Sequence, residues 1–129
     1  MNAESRRVEL DRITRETIRC AQKVSCVLGC GFLEKVYENA LAIELEASGL
    51  KVLQQHGIEV RYSGKPVGSY AADLLVEDRV LVELKAAKTL DDIHLAQCLN
   101  YLKASGLAVC LLMNFGRPKL EVKRVVNNF

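Results

Sequence analysis

The chain has 129 residues, of which 50% are hydrophobic and 26% charged, and its formal net charge is +2 at neutral pH. This length supports one domain with a real hydrophobic core and is too short for two ordinary ones, so we expect residues 1–129 to form a single domain. The composition excludes a disordered or low-complexity chain. The small net charge permits a nucleic-acid partner without demanding one.

The N-terminal region, residues 1–19, is rich in charge and carries no apolar run long enough for a signal peptide or a membrane span. We therefore expect a cytoplasmic protein with no membrane partner. Five cysteines, an odd number, argue against a disulfide framework. We expect them to be buried as small hydrophobic side chains, and a metal site through Cys26 and Cys30 is the weaker alternative.

The first half of the chain carries two helical patterns. Apolar and small residues between Leu10 and Leu28 recur every three or four positions, which predicts an amphipathic helix. Gly29 and Gly31 favour a turn after it. The second helix is predicted over residues 33–45 and ends near Ser48–Gly49.

The pattern then changes to extended segments. Strand sequence is predicted at 52–53, 58–60, 67–76 and 80–84, with turns at 63–66 and 77–79. A third helix begins near Thr89–Asp92, where Thr and Asp are good N-caps, and ends near Ser105–Gly106. The apolar run Ala108–Met113 predicts a strand buried on both faces, and residues 120–126 predict a last strand. The order α-α-β-β-β-α-β-β indicates an α/β or α+β domain with a sheet flanked by helices.

Two acidic residues lie inside apolar strands, Asp73 within 70–76 and Glu83 within 80–86. An ionised carboxylate in such a place needs a partner or a metal. With the hairpin centred on Asp78, the two residues are equally far from the turn, so we expect them to lie opposite each other on one face. Like charges so placed repel unless a cation lies between them, and paired oxygen ligands suit Mg²⁺ or Mn²⁺.

Lys85 follows Glu83 by two positions, so the two side chains face the same side of the strand. Asp, Glu and Lys together are the minimal apparatus for metal-assisted phosphate hydrolysis. The metal lowers the pKa of a bound water, and the lysine orients that water and stabilises developing negative charge. The alternative is a cross-strand salt bridge between Lys85 and one of the carboxylates.

This pattern, Asp73 followed by Glu83-Leu84-Lys85, resembles the signature of the PD-(D/E)XK nuclease superfamily, although Ala72 stands where the signature has proline. Residues 31–37, Gly-Phe-Leu-Glu-Lys-Val-Tyr, resemble the motif of the GxxExxY proteins. Residues 97–101, beginning with Gln and ending with Tyr, resemble the Gln-x-x-x-Tyr motif of the exonuclease-like branch, and the segment Leu112–Gly116 with Lys123-Arg124 is also similar to the GxxExxY group. The resemblance implies a restriction-endonuclease-like core with a mixed central sheet flanked by helices.

The resemblance also implies roles for single residues. Asp73 and Glu83 would bind Mg²⁺ or Mn²⁺ with the Leu84 carbonyl as a third ligand, and Glu34 would approach the metal directly or through water. Lys85 would be the catalytic lysine. Gln97 would hold Lys85 or the scissile phosphate, and Tyr101, one turn later on the same helix, would reach the same cleft.

Each of these residues also has a structural interpretation. Glu34 is alternatively a solvated helix carboxylate, Gln97 and Tyr101 a surface pair, and Tyr37 a core residue with a satisfied hydroxyl. His94, one turn before Gln97, is expected to be structural or exposed. Four basic residues are candidates for contacts to the phosphate backbone, against the ordinary alternative of solvated charges: Lys88, Lys103, Lys123 and Arg124.

The leading hypothesis is a metal-dependent nuclease that cleaves DNA rather than RNA by water attack and leaves a 5′-phosphate. A homodimer or a larger nuclease complex is compatible with the resemblance. Two alternatives stay open: a module that binds nucleic acid or protein without cleaving, and a metal-dependent hydrolase of another phosphate ester. A groove beside the carboxylates would favour the nuclease, and a closed pocket would favour a small substrate.

Overall fold

The computed structural model describes residues 2–127 of the chain. In this part of the chain the elements are α1 (Ala3–Leu28), α2 (Glu34–Ala47), β1 (Val52–Tyr62), β2 (Lys65–Val76), β3 (Val80–Lys85), α3 (Asp92–Ser105), β4 (Val109–Asn114) and β5 (Glu121–Val126). The predicted order of elements, α-α-β-β-β-α-β-β, is confirmed.

The strands form a five-stranded sheet in the order β1-β2-β3-β4-β5. Strands β3 and β4 are parallel, and the other neighbours are antiparallel. A parallel pair needs a crossover connection, which α3 supplies here. The predicted mixed sheet flanked by helices is therefore confirmed.

The sheet separates two hydrophobic cores. On one face, α1 and α2 pack against strand residues that include Val80, Val82 and Leu84. On the other face, α3 packs against residues that include Leu81 and Leu112. Successive strand residues face opposite sides, so Glu83, two positions after Leu81, points to the face that α3 covers.

Local sequence explains the limits of α3 and the burial of β4. The Asp91 side chain accepts a hydrogen bond from the Ile93 amide, and His94 Nδ1 accepts one from the Asp91 amide, which completes a capping box. Gly106, with φ of 77°, ends the helix in the left-handed region, where glycine is favoured. All six residues of β4 are buried, as the apolar run predicted.

Two segments extend beyond their predicted bounds. Helix α1 begins at Ala3, where the Asn2 side chain caps the Ser5 amide, rather than near Leu10. Its first turns are exposed, so apolar periodicity marks only the packed part of the helix. Strand β1 is continuous over residues 52–62, where two short segments were expected.

The expectation of buried cysteines is correct for Cys20, Cys98 and Cys110 and wrong for Cys26 and Cys30, which are exposed. Cys26 lies on the outer face of α1, and Cys30 lies in the turn that follows the helix. All five thiols are free. Between residues 2 and 127, no helix has the length and apolar character needed to span a membrane.

Candidate active site

The sheet divides at Asp73. Strand β2 pairs with β3 from Val76 to Leu74, opposite Val80 to Val82. At the next position the Asp73 amide donates to Glu83 Oε1 (2.9 Å), and the Leu84 amide donates to Asp73 Oδ2 (2.8 Å). Buried backbone donors need acceptors, and here two side-chain carboxylates replace the carbonyls of the ladder. The expected juxtaposition of Asp73 and Glu83 is thus present in the structure.

The two carboxylates share a poorly solvated environment. Glu83 is only 4% exposed. Burial, with a further contribution from the negative charge of Asp73, raises the pKa of Glu83 to about 8, and burial also raises the pKa of Asp73. Neither carboxylate takes part in an ion pair within residues 2–127. The site therefore holds two carboxyl groups whose ionisation is disfavoured and which no side-chain cation within residues 2–127 contacts directly.

The donor atoms fit a divalent cation. Glu83 Oε2 accepts no hydrogen bond in the described chain, and Asp73 Oδ1 accepts only a long one (3.3 Å) from Gln55. Each carboxylate therefore keeps an oxygen with spare acceptor capacity, and oxygen is the ligand that Mg²⁺ and Mn²⁺ prefer. Residues 2–127 contain no group of three His, Cys, Asp or Glu side chains arranged for metal binding, so further ligands would be backbone carbonyls or waters.

Lys85 follows Glu83 on the same side of β3 and is half-buried. Its positive charge lowers the pKa of Glu83, against the larger raising effects, but the two side chains form no ion pair. The salt bridge considered as an alternative is therefore not formed. The Lys85 carbonyl accepts a hydrogen bond from the Phe115 amide (2.8 Å), which holds the strand end in place.

The chain after Lys85 is held by the fully buried Asn114. Its side chain accepts from the Ala87 amide (3.0 Å) and donates to the Ala87 carbonyl (2.9 Å). Gly116 lies against the same peptide, since a Cβ at this glycine would come within 2.4 Å of the Ala87 backbone. Lys85 thus lies next to a tightly packed loop.

Glu34 is the first residue of α2 and is exposed. Its negative charge contributes to the raised pKa of both Asp73 and Glu83, which places it near the site. It lines a cavity of about 600 Å³ with Gly31, Ala86 and Gly116, next to the end of β3. Tyr37 is a core residue as predicted: its hydroxyl donates to the Gly29 carbonyl (2.6 Å), and its ring stacks on Phe115.

The sequence reasoning missed Glu38. This carboxylate is 3% exposed and accepts hydrogen bonds from Gln54 and Gln55 (2.8 Å each) and from Lys35 (2.9 Å). Gln55 also donates to Asp73, so an amide bridges the buried carboxylate of α2 and the site. A signal was available, because Glu38 occupies the same helical stripe as the buried residues Leu41, Ala42 and Leu45.

The Gln-x-x-x-Tyr pair lies on α3, where Gln97 Nε2 donates to the Tyr101 hydroxyl (3.0 Å). Burial, with contributions from Glu83 and Asp73, raises the pKa of Tyr101 to about 12. The carboxylates therefore lie within electrostatic reach of this pair. Both residues line a groove of about 950 Å³ between α3 and the β1–β2 hairpin, together with His94 and Lys103.

The four basic residues predicted to meet phosphates are not on one surface. Lys103 lines the groove, and Lys88 is exposed in the loop after β3. Lys123 of β5 lies opposite Leu112 of β4, and Leu112 lies opposite Glu83 of β3. Lys123 therefore faces the same side of the sheet as the carboxylates. Arg124 points to the opposite face and donates to Asp11 of α1 (3.1 Å), so the structure does not bring it to the site.

The point at Asp73 where β2 separates from β3 is called the fork. Two carboxylates and a lysine at this fork, on a mixed sheet, define a nuclease-like architecture. Residues 11–125 match the PD-(D/E)XK nuclease superfamily, and the chain belongs to it. No curated protein sequence matches the chain. Proteins of this superfamily generally use divalent metal ions, which agrees with the oxygen donors at the fork.

Two solved structures show the same fold. One is an alkaline exonuclease from Laribacter hongkongensis (LHK-Exo), with a TM-score of 0.54 and 15% identity over 73% of this chain and 56% of that one. The other is the protein SSO0001, with a TM-score of 0.58 and 13% identity over 74% of this chain and 51% of that one. The chain thus spans little more than half the length of these structures. At this identity the likeness extends to the fold.

Proposed function

We propose that the chain is a nuclease domain, comprising residues 1–129, that hydrolyses phosphodiester bonds in DNA, rather than RNA, with Mg²⁺ or Mn²⁺. The observation that carries the proposal is the pair of the half-buried Asp73 and the buried Glu83, which lacks a neutralising ion pair within residues 2–127 and has Lys85 two positions after Glu83. Membership of the nuclease superfamily supports the same reaction. We also propose that the chain belongs to the GxxExxY group, on the segment Gly31–Tyr37.

The chain's own residues would divide the work. Asp73, Glu83 and the Leu84 carbonyl would hold the cation, and Glu34 would reach it through water. When bound, the cation would supply Lewis acidity toward the phosphoryl oxygen and a water of lowered pKa. Lys85 would orient the attacking water.

In the hydrolysis itself, the water oxygen would form a new bond to phosphorus and release a proton to solvent, while the bond to the 3′-oxygen breaks and that oxygen takes up a proton from solvent. The products would be a 5′-phosphate and a 3′-hydroxyl. Positive charge at Lys85 would favour the extra negative charge that develops on the phosphate.

Residues around the fork would position the substrate. Gln97 has a carbonyl oxygen left for Lys85 while its amide holds Tyr101, and the tyrosine hydroxyl would then face the scissile phosphate. Lys88, Lys103 and Lys123 would contact neighbouring phosphates. Arg124 would meet a phosphate only on the α1 side, where it already pairs with Asp11.

Calorimetric titration of Mg²⁺ and Mn²⁺ into the purified protein tests the proposal. We expect binding by the wild type and loss of binding in Asp73→Ala/Glu83→Ala. A matched control, Glu46→Ala/Asp92→Ala, removes two exposed carboxylates from α2 and α3 and should bind the metals normally.

Incubation with linear, branched and single-stranded DNA, and with RNA, then tests the reaction. Cleavage that needs metal and is lost in the Asp73/Glu83 variant supports the nuclease. If metal binds and no substrate is cleaved, the proposal that the isolated chain is a catalyst is wrong. Absence of metal binding would instead favour a module that binds without cleaving.

A further inference from the structure

The groove between α3 and the β1–β2 hairpin contains an aromatic ring that the proposed chemistry does not use. Tyr70 lies in β2 opposite Ile58 of β1, and Ile58 is buried against α3. Tyr70 therefore points toward the helix, yet it is 54% exposed. Its ring lies beside that of Tyr101, with centroids 5.7 Å apart and ring planes tilted by 47°, and it lines the groove.

This groove lies on the side of the sheet that carries the candidate active site. Tyr70 and Tyr101 line it. Tyr70 precedes Asp73 by three residues in β2, and Tyr101 packs in the same core as Leu112, the β4 partner of Glu83. A DNA strand bound in the groove would therefore lie near the two carboxylates. The volume of about 950 Å³ accommodates a few nucleotides of one strand.

The groove also contains polar residues that are available to the bases and phosphates of a single nucleic-acid strand. Asn100 is exposed and makes no side-chain hydrogen bond within residues 2–127, so its amide is available to the edge of a base. Lys103 is exposed, has no ion pair in the same part of the chain, and is available to a phosphate. Arg61, by contrast, is already held by Glu59 and the Gly64 carbonyl.

An exposed ring selects for unpaired nucleotides. In a duplex each base face is covered by the next base pair, whereas a base in a single strand can stack on an aromatic side chain. The chain has only four tyrosines, and two of them meet at this groove. Scarcity of aromatics in the composition therefore does not exclude a local stacking surface.

We propose that the groove binds an unpaired DNA strand beside the cleavage site, with one base stacked on Tyr70 and its neighbours contacted by Asn100 and Lys103. This inference rests on the proposed nuclease function and names its substrate class: single strands, flaps or frayed ends. Tyr70 is a specificity-determining residue under this proposal, and it does not act on the reacting atoms.

The test measures binding apart from cleavage. Fluorescence anisotropy of a labelled oligothymidylate and of a blunt, fully paired DNA duplex is recorded without divalent metal. We expect Tyr70→Ala to weaken single-strand binding by about five- to 150-fold, the range for loss of one stacked base, and to leave duplex binding unchanged. Tyr70→Phe keeps the ring and should stay within about twofold of the wild type.

Tyr62→Ala is the matched control, because Tyr62 is 75% exposed at the end of the same hairpin and does not line the groove. It should bind like the wild type. A second arm changes the DNA: an abasic position placed along the oligonucleotide should lower wild-type affinity at one register and have no further effect on the affinity of Tyr70→Ala.

The outcomes separate the two proposals. If the wild type cleaves DNA and Tyr70→Ala binds single strands as tightly as the wild type does, the groove proposal is overturned and the nuclease stands. If the wild type binds the fully paired duplex at least as tightly as the single strand, the substrate class is wrong. If the wild type neither binds nor cleaves any oligonucleotide, the nuclease itself falls, and the groove proposal falls with it.

Discussion

At the scale of single residues, Lys85 is distinguished by what it does not contact. It is half-buried at a strand end beside two carboxylates and forms an ion pair with neither. A lysine kept for a structural salt bridge would be paired at such a site. The arrangement instead leaves its ammonium group available to a water or a phosphate oxygen.

We expect Lys85→Ala to lower the rate of DNA cleavage by about 10²–10³-fold, the usual cost of losing one group that stabilises negative charge in the transition state. Metal affinity and thermal stability should remain close to wild type, because the lysine is not a metal ligand. Steady-state cleavage assays, calorimetry and thermal melts measure the three properties. Lys119→Ala is the control, because Lys119 is exposed in the loop before β5. Full activity of Lys85→Ala would contradict the catalytic role assigned to Lys85.

Gln55 has a geometry that suits a positioning residue. It adopts a φ of 54°, in the left-handed region, and its amide joins the buried Glu38 to Asp73. Gln54 also donates to Glu38 but does not reach Asp73. The two glutamines therefore allow a comparison in which only one variant affects Asp73 directly.

We expect Gln55→Asn to weaken Mn²⁺ binding by about 10–100-fold, the usual effect of losing a group that orients a metal ligand. Asparagine tolerates the left-handed backbone but is too short to bridge the two carboxylates. Gln54→Ala should bind Mn²⁺ normally in the same calorimetric titration. Equal losses in both variants would mean that Gln55 acts only through the packing of Glu38.

At the scale of elements, local patterns predicted all eight helices and strands of the described chain in order. Periods of two and of about 3.6 residues, together with glycine, proline and capping residues, carry this information. The start of α1 and the continuity of β1 were not predictable in this way. Both depend on exposed residues, such as those before Leu10, whose structure follows from neighbouring elements rather than from their own hydrophobicity.

The loop that follows Lys85 gives a test at this scale. Gly116 packs directly against the Ala87 backbone, and the Asn114 side chain forms hydrogen bonds with both the amide and the carbonyl of Ala87. We expect Gly116→Ala to lower the free energy of unfolding by about 1–3 kcal/mol, since a new methyl group would displace backbone rather than a flexible side chain. Cleavage should fall as well, because the end of β3 would shift.

Gly57→Ala is the matched control, because a Cβ at Gly57 meets no atom within 4 Å and its backbone needs no positive φ. Thermal melts and cleavage rates of the two variants measure the difference. If Gly116→Ala is as stable and active as Gly57→Ala, the loop is able to move aside, and close packing is not what holds Lys85.

At the scale of the whole molecule, the sequence alone predicted the part of the site that one hairpin contains. Asp73, Glu83 and Lys85 follow from counting residues about a single turn, which needs no knowledge of tertiary structure. Glu38, Gln55 and the groove at Tyr70 require α2, β1 and α3 to be placed around the fork. Those positions depend on packing across the sheet, which no local pattern encodes.

The raised pKa values of the two carboxylates at the fork predict how the stability of the whole molecule depends on pH. In the metal-free protein the pKa of Glu83 is raised from 4.5 to about 8, and that of Asp73 is raised as well. Between these values the folded protein binds more protons than the unfolded chain, so the free energy of unfolding falls as pH rises. Carboxylates such as Glu9 and Glu16, whose pKa is lowered by Arg12 and Arg19, act in the opposite direction at lower pH.

Thermal melts between pH 5 and pH 9 in a metal chelator should therefore show a melting temperature that falls from about pH 5 to about pH 8, the pKa of Glu83 in the folded protein, and levels off above it. Glu83→Gln and Asp73→Asn should flatten the dependence and melt higher than the wild type near pH 8, because each removes one of the two repelling charges. Saturating Mn²⁺ should raise the wild-type melting temperature most at high pH, where both carboxylates are ionised, and should not stabilise the variants to the same extent. A marked loss of stability in the metal-free variants would show instead that the two carboxylates stabilise the fold as hydrogen-bond acceptors for Asp73 and Leu84, more than they destabilise it by repulsion.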